Sequence, residues 1–200
     1  MTASQAREFN IRPMTMDDVP AITRWFEHLP DLCLFDRTSP IPLNEASYTT
    51  AWEPIINGNE PRRFYWFSSI DSDDNLAGIA GLSDINYIHG DAVAALFTSQ
   101  QGRRKGMGLK MMVHIIDLGF NQLRLERMTT FCRADNLASG ELMTRLGFVT
   151  EGVLRRAWFS GGTHHDITAV GILKEEWKEA RKTLEPELET GVTVNFGRVP

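Results

Sequence analysis

A glycine-rich, basic stretch, Gln101-Gly102-Arg103-Arg104-Lys105-Gly106-Met107-Gly108, stands between a strand-like run (Ala92 to Thr98) and an apolar run that opens with Leu109-Lys110-Met111-Met112-Val113. Glycines let a backbone curl where a Cβ would clash. The curl turns successive N–H groups inward, and the helix that follows adds the positive end of its dipole. Arg103, Arg104 and Lys105 add full charges. The chemistry is that of an anion site, and a pyrophosphate is its natural guest.

Two phosphate motifs do not fit. The P-loop needs G-x-x-x-x-G-K-[ST], but Gly102 and Gly106 are only four apart and Leu109 follows Gly108. The dinucleotide fingerprint needs a small residue at its sixth position, and the run from Gly106 carries Met111 there. What fits is R-x-x-G-x-G, from Arg103 to Gly108. A second block lies downstream. Arg127 to Cys132 reads as a strand, Arg133-Ala134-Asp135-Asn136 as a turn and Leu137 to Leu146 as a helix. Asn136 suits the N-cap and Gly147 the C′ position.

The two blocks, R-x-x-G-x-G and N-x-x-S-x-x-L-x-x-x-x-G-F (Asn136 to Phe148), resemble the cofactor-binding segments of the GNAT superfamily of N-acetyltransferases. The resemblance covers roughly residues 9 to 173. Within that superfamily the chain is most similar to the branch of ribosomal-protein N-terminal acetyltransferases and their relatives. The resemblance implies an α+β fold in which the fourth and fifth strands of a mixed sheet splay apart between flanking helices. It implies acetyl-CoA as co-substrate, with the pyrophosphate held by Arg103, Arg104, Lys105, Gly106, Met107 and Gly108, largely through backbone N–H groups. The pantetheine arm, a chain of amides, would pair with the fourth strand as a pseudo-strand, beside Leu96, Phe97 and Thr98. Asn136 would touch the cofactor near its pantetheine or thiol end.

Amine acetylation in this fold usually runs by direct attack. The enzyme then supplies proximity and orientation, helped by a general base and acid. No covalent cysteine is required. The leaving-group acid is often a Tyr seven residues after the N-cap Asn; here that position is Met143, which cannot donate a proton. Ser139 is then the catalytic and cofactor-side candidate near the thiol; the alternative is a serine that merely packs small there. Asp84 is the only acid between Ala77 and Tyr87. If half-buried in the cleft it suits a general base; if on a solvated face it does not. Glu151 is a second, weaker base candidate. Phe35, Asp36 and Arg37 fall where acceptor pockets vary in this fold, and Asp36 could hold a cationic amine.

Composition narrows the classes. At 200 residues the chain suits one domain, taken as residues 1–175 with a helix and strand-like tail over 176–200. A formal charge of -5 disfavours non-specific nucleic-acid binding. No apolar run is long enough for a membrane span, and the first residues lack a signal core. Cys33 and Cys132 show neither pairing nor metal spacing. Cys132 suits core packing. A cytoplasmic protein with reduced thiols and no metal is expected. His164 and His165 are adjacent, so on a strand they point to opposite faces and cannot readily chelate one ion. Asp166 suits a structural acid after the hairpin turn, and His114 a packed or surface position on its helix.

The elements that must position these residues read in the order β-α-α-β-β-β-α-β-α-β-β. Val19, Ile22, Trp25, Phe26 and Leu29 recur at helical spacing, with Pro30 as a stop, residues 31 to 41 irregular, and a second helix over Leu43 to Asn57. Lys174 to Leu184 reads as a helix ended by Pro186. The tail, Thr190 to Phe196, either pairs with an edge strand, of this chain or of a homodimer partner, or stays unstructured. The acceptor class stays open: protein N-terminus, polyamine, aminosugar or antibiotic amine. The alternative to an enzyme is a module that binds acyl-CoA as a sensor without transferring the group.

Overall fold

The computed structural model describes residues 8–39, 41–103, 106–189 and 193–196. The chain opens with β1 (Glu8–Pro13), a 3-10 turn (Met16–Asp18), α1 (Val19–Phe26), α2 (Leu29–Phe35) and α3 (Glu45–Ile56). An antiparallel run follows: β2 (Tyr65–Asp71), β3 (Leu76–Asn86) and β4 (Asp91–Thr98). Then come α4 (Met107–Asn121), β5 (Arg127–Arg133), α5 (Leu137–Arg145), β6 (Val149–Ser160), β7 (Thr163–Leu173), α6 (Lys174–Leu188) and β8 (Thr193–Phe196). The strands form one sheet in the order β6-β7-β5-β4-β3-β2-β1-β8. It is mixed, because β4–β5 and β1–β8 run parallel while the other neighbours are antiparallel.

Apolar residues cover both faces. α4 lies on one face with Met111, Met112, Ile115, Ile116 and Phe120 buried, and α6 joins that core through Trp177 and Leu184. On the other face α1, α2 and α3 bury Ile22, Phe26, Leu32, Tyr48 and Trp52 against Ile79 and Phe97. Thus α6, expected as an addition beyond residue 175, packs on the main core, and β8 extends the sheet beside β1. The tail segment Thr193–Phe196 is therefore paired, within this chain; residues 190–192 and 197–200 lie outside the described residues.

Two expectations are corrected. Residues 31 to 41 are not all irregular, because Leu29–Phe35 forms α2. Pro30 stands in the first turn of that helix, where the missing N–H costs no intrahelical bond. Pro186 does not end α6, which runs on to Leu188. Lys110 reaches across from α4 to donate to Leu188 O at 2.7 Å, which steadies that last turn.

Candidate active site

The site begins where β4 and β5 part. They pair only at Asp91–Arg127, Ala92–Met128 and Val93–Thr129. Beyond these the arms diverge, as expected for the fourth and fifth strands. On its other edge β4 stays paired with β3 as far as Thr98, and Ser99 N donates to Ala77 O at 2.9 Å. Antiparallel pairs alternate between those that exchange hydrogen bonds and those that do not. Ser99 and Phe97 therefore spend their main-chain groups on β3, while Ala94, Leu96 and Thr98 turn theirs toward the gap. The side chains divide too. Leu96 and Thr98 face α4, and Phe97 lies buried among Trp25, Phe26 and Phe35.

The basic loop caps the open end. Ser99 anchors it: Gly102 N donates to Ser99 Oγ at 3.1 Å, and Gly102 N and Arg103 N both reach Ser99 O. Gly106 is the N-cap of α4 with φ +74, a left-handed value that glycine adopts without strain. The positive end of a 15-residue helix thus opens at Gly106, Met107 and Gly108. Met107 is fully buried, so it offers its N–H rather than its side chain. Arg104 and Lys105 lie outside the described residues. Arg103 is committed elsewhere: Nη2 donates to Asp31 Oδ1 at 2.5 Å and Nε to Thr98 O at 3.2 Å. Burial alone would raise the Asp31 carboxyl, but Arg103, Gln100 and His28 outweigh it and hold the pKa below the ordinary range.

The other arm carries the second block. Asn136 caps α5, its Oδ1 accepting from Ser139 N at 3.2 Å, and Gly147 follows the C-cap with φ +87. Ser139 is half-buried. It neighbours the Cys132 thiol on the splayed part of β5; burial pushes that thiol up and Ser139 offsets part of the rise. Met143 is buried in the core at 4% exposure, so no proton donor stands there. A cavity of about 560 Å3 flanks α5, lined by Cys132, Asn136, Gly140, Thr168 and Val170 among others. Another of about 400 Å3 lies behind the basic loop, between Trp25, Leu76 and Gly102. Leu142 of α5 comes within 4.0 Å of where a Gly108 Cβ would lie. The first turn of α4 therefore meets α5 beside the groove between the splayed arms.

Asp84 does not join this groove. A β-bulge between Ser83 and Asn86 puts it at φ +52, beside the closed end of the gap. Its side chain is 65% exposed and 3.3 Å from Arg63. The half-burial expected of a base is absent, because the bulge breaks the alternation that would have turned Asp84 inward. Asp36 accepts from Thr38 N and Oγ1 at 2.7 and 2.6 Å, closing its own turn. Phe35 packs at 5.2 Å on Phe26. Glu151 pairs with Arg127 at 2.6 Å. His164 packs on Phe159 while His165 approaches Asp135 at 3.3 Å, so the two rings do diverge. Asp166 accepts from Arg156 N at 2.8 Å, a structural bond. Half-buried His114 has its pKa lowered by burial. Among the described residues no group of three or more His, Cys, Asp or Glu could hold a metal ion, and no helix is long and apolar enough to cross a membrane.

Sequence reasoning missed Asp31 and the span of Arg133. The latter donates to Cys33 O, Ser160 Oγ and Asp135 from the last position of β5. Both rest on α2, and a segment read as irregular offers no face on which to place a buried acid.

Known proteins resemble this chain in sequence and in fold. The chain is 29% identical to a spermidine N(1)-acetyltransferase of Vibrio cholerae over 122 residues, which is 61% of this chain and 69% of that relative. It is 26% identical to the Bacillus subtilis protein named "Putative ribosomal N-acetyltransferase YdaF" over 123 residues, 62% of this chain and 63% of that one. A crystal structure of the Vibrio cholerae spermidine N-acetyltransferase with CoA and spermine shares the fold: TM-score 0.76 at 22% identity, covering 85% of this chain and 98% of that one. The acetyltransferase (GNAT) domain family matches residues 8–149, from β1 through both blocks to the first residue of β6. The chain belongs to the GNAT family of acetyltransferases.

Proposed function

We propose that this acetyltransferase moves an acetyl group from acetyl-CoA to a primary amine, on a small molecule or a protein N-terminus. The observation that carries the reading is the parting of β4 from β5 after Val93–Thr129, with the start of α4 at its open end. The residues fit the donor. The left-handed turn at Gly106 and the first amides of α4 suit a pyrophosphate. The main-chain groups that Leu96 turns to the gap, with the N–H of Thr98, suit the amides of pantetheine, while Thr98 O is held by Arg103 Nε. Phe97 supports that strand from the far face rather than touching the guest. Asn136 shapes the second wall by capping α5, and Ser139 stands at that wall beside Cys132.

In the reaction the neutral amine attacks the thioester carbonyl carbon. The C–N bond forms, the C–S bond breaks, and the proton lost by the amine passes through water to the leaving thiolate, giving the free CoA thiol. In this scheme Ser139 donates a hydrogen bond to the departing sulfur. Orientation in the groove supplies most of the acceleration. Asp84, ion-paired and exposed, takes no part in this scheme. Relatives named for spermidine and for ribosomal substrates both match, which supports a primary amine and leaves its carrier open.

The test is CoA-thiol release from acetyl-CoA with polyamines, aminosugars, aminoglycosides and short peptides bearing free N-termini. Turnover with one class is expected, and it names the acceptor. Binding of acetyl-CoA with no turnover on any amine would favour the sensor instead. No binding of acetyl-CoA would remove the reading.

A further inference from the structure

The short helix α2 crosses the open end of the gap and is fastened to both arms. On the β4 side, Asp31 is 4% exposed and accepts from Arg103 at 2.5 Å and Gln100 at 3.2 Å. His28, just before the helix, stands 3.0 Å from the same carboxylate. Arg103 in turn bonds Thr98 O, and its guanidinium lies 5.8 Å over the Phe97 ring. On the β5 side, Arg133 donates to Cys33 O at 3.4 Å while holding Asp135 and Ser160. Asp31 and Cys33 stand on one helix. Between them they hold the loop after β4 and the last residue of β5.

We propose that Asp31 is a positioning residue of the donor site, with α2 as a tie across the gap that sets the path of the loop into α4 through Arg103. The proposal rests on reading that loop as the acetyl-CoA site. It assigns the Arg103 charge to the tie rather than to a phosphate. It also reverses the sign that simple electrostatics gives. A buried carboxylate near a polyanion repels it, so removing the charge should tighten binding. A tie requires the opposite: Asp31→Asn loosens the loop and weakens binding, although a negative charge is gone.

Two readouts decide it, on Asp31→Asn, Arg103→Gln and the double variant. Backbone hydrogen exchange of the ligand-free protein reads the tie itself. Asp31→Asn is expected to speed exchange across residues 98–103 about tenfold. Arg103→Gln is expected to do the same within α2, which the loss of a direct phosphate contact would leave alone. Calorimetry with CoA reads the consequence. Asp31→Asn should weaken binding about tenfold, and adding Arg103→Gln should change little more, because both belong to one link. Unchanged exchange in the loop, or CoA binding that is unaltered or tighter in Asp31→Asn, overturns the proposal. If the unmodified protein does not bind CoA, the donor-site reading falls, and exchange still decides the tie. Should Asp31→Asn fail to fold, Arg103→Gln, on a side chain 40% exposed, carries the exchange test alone.

Discussion

Gly108 lies against Leu96: a Cβ on it would stand 3.2 Å from Leu96 Cδ2 and 3.6 Å from Thr98 Cγ2. The first turn of α4 thus rests on the end of β4, and the neighbour it would press is the tip of a flexible side chain. Gly106, two residues earlier, differs in kind, because its φ of +74 strains any residue with a Cβ. Gly106→Ala is therefore expected to lose about 1–2 kcal/mol of stability. Gly108→Ala should stay within about 1 kcal/mol of the parent, as helix propensity offsets crowding. Thermal unfolding compares them; equal stabilities would mean that the left-handed turn is no constraint.

The two glycine blocks are legible in the sequence because their signals are local. A cap, a C′ glycine and a glycine at a helix start need no distant partner. Strand alternation likewise locates the sheet. What fails is what depends on the fold. Pro30 reads as a stop when the helical period is followed from Val19, yet the same residue opens α2. Arg103 reads as an anion ligand, since its partner Asp31 stands 72 residues upstream on that unforeseen helix. Asp84 is left between an inward and a solvated face by its strand, and the bulge at Ser83–Asn86 accompanies the exposed one.

Asp18 ties β1 to the turn before α1. Its carboxylate accepts from both Arg12 nitrogens at 2.7 and 2.8 Å, from Thr15 N at 2.9 Å and from Ser68 Oγ at 2.7 Å. Burial would raise its pKa, but these donors outweigh burial and bring it below the ordinary value. A carboxyl depressed in the folded state stabilises the fold while ionised and loses that contribution as pH falls through its folded value. Stability should therefore drop below about pH 4. Asp18→Asn should cost about 2–3 kcal/mol at neutral pH, discounted because Arg12 is partly exposed. Its acid-unfolding curve should be shallower. A variant with an unchanged pH slope would show that Asp18 is not the titrating group.

Asp84→Asn tests the base candidate that a lone acid in an apolar strand suggests. The exposed pair with Arg63 is worth at most about 1 kcal/mol. The substitution should leave kcat and its pH profile as they are, with stability within that margin. A fall in kcat of about a hundredfold, the scale of a lost general base, would return Asp84 to the mechanism and require the bulge to rearrange on binding.

Ser139 and Cys132 are neighbours but do not share a role. Direct attack forms no enzyme intermediate, so Cys132→Ala should retain kcat within about threefold, after a packing loss of about 1 kcal/mol at a 7% exposed position. Ser139→Ala removes a donor to the leaving sulfur. A hydrogen bond to a charged group is worth about 1.5–3 kcal/mol. That predicts a kcat lower by about 10- to 100-fold with acetyl-CoA binding little changed, because the bond matters most as charge develops on sulfur. Ser139→Thr, which keeps the hydroxyl, should recover part of the rate. Steady-state kinetics separates the cases. Loss of activity in Cys132→Ala with no loss in Ser139→Ala would exchange their roles and point to an acyl-cysteine. Equal retention in both would place the proton donor outside the second block altogether.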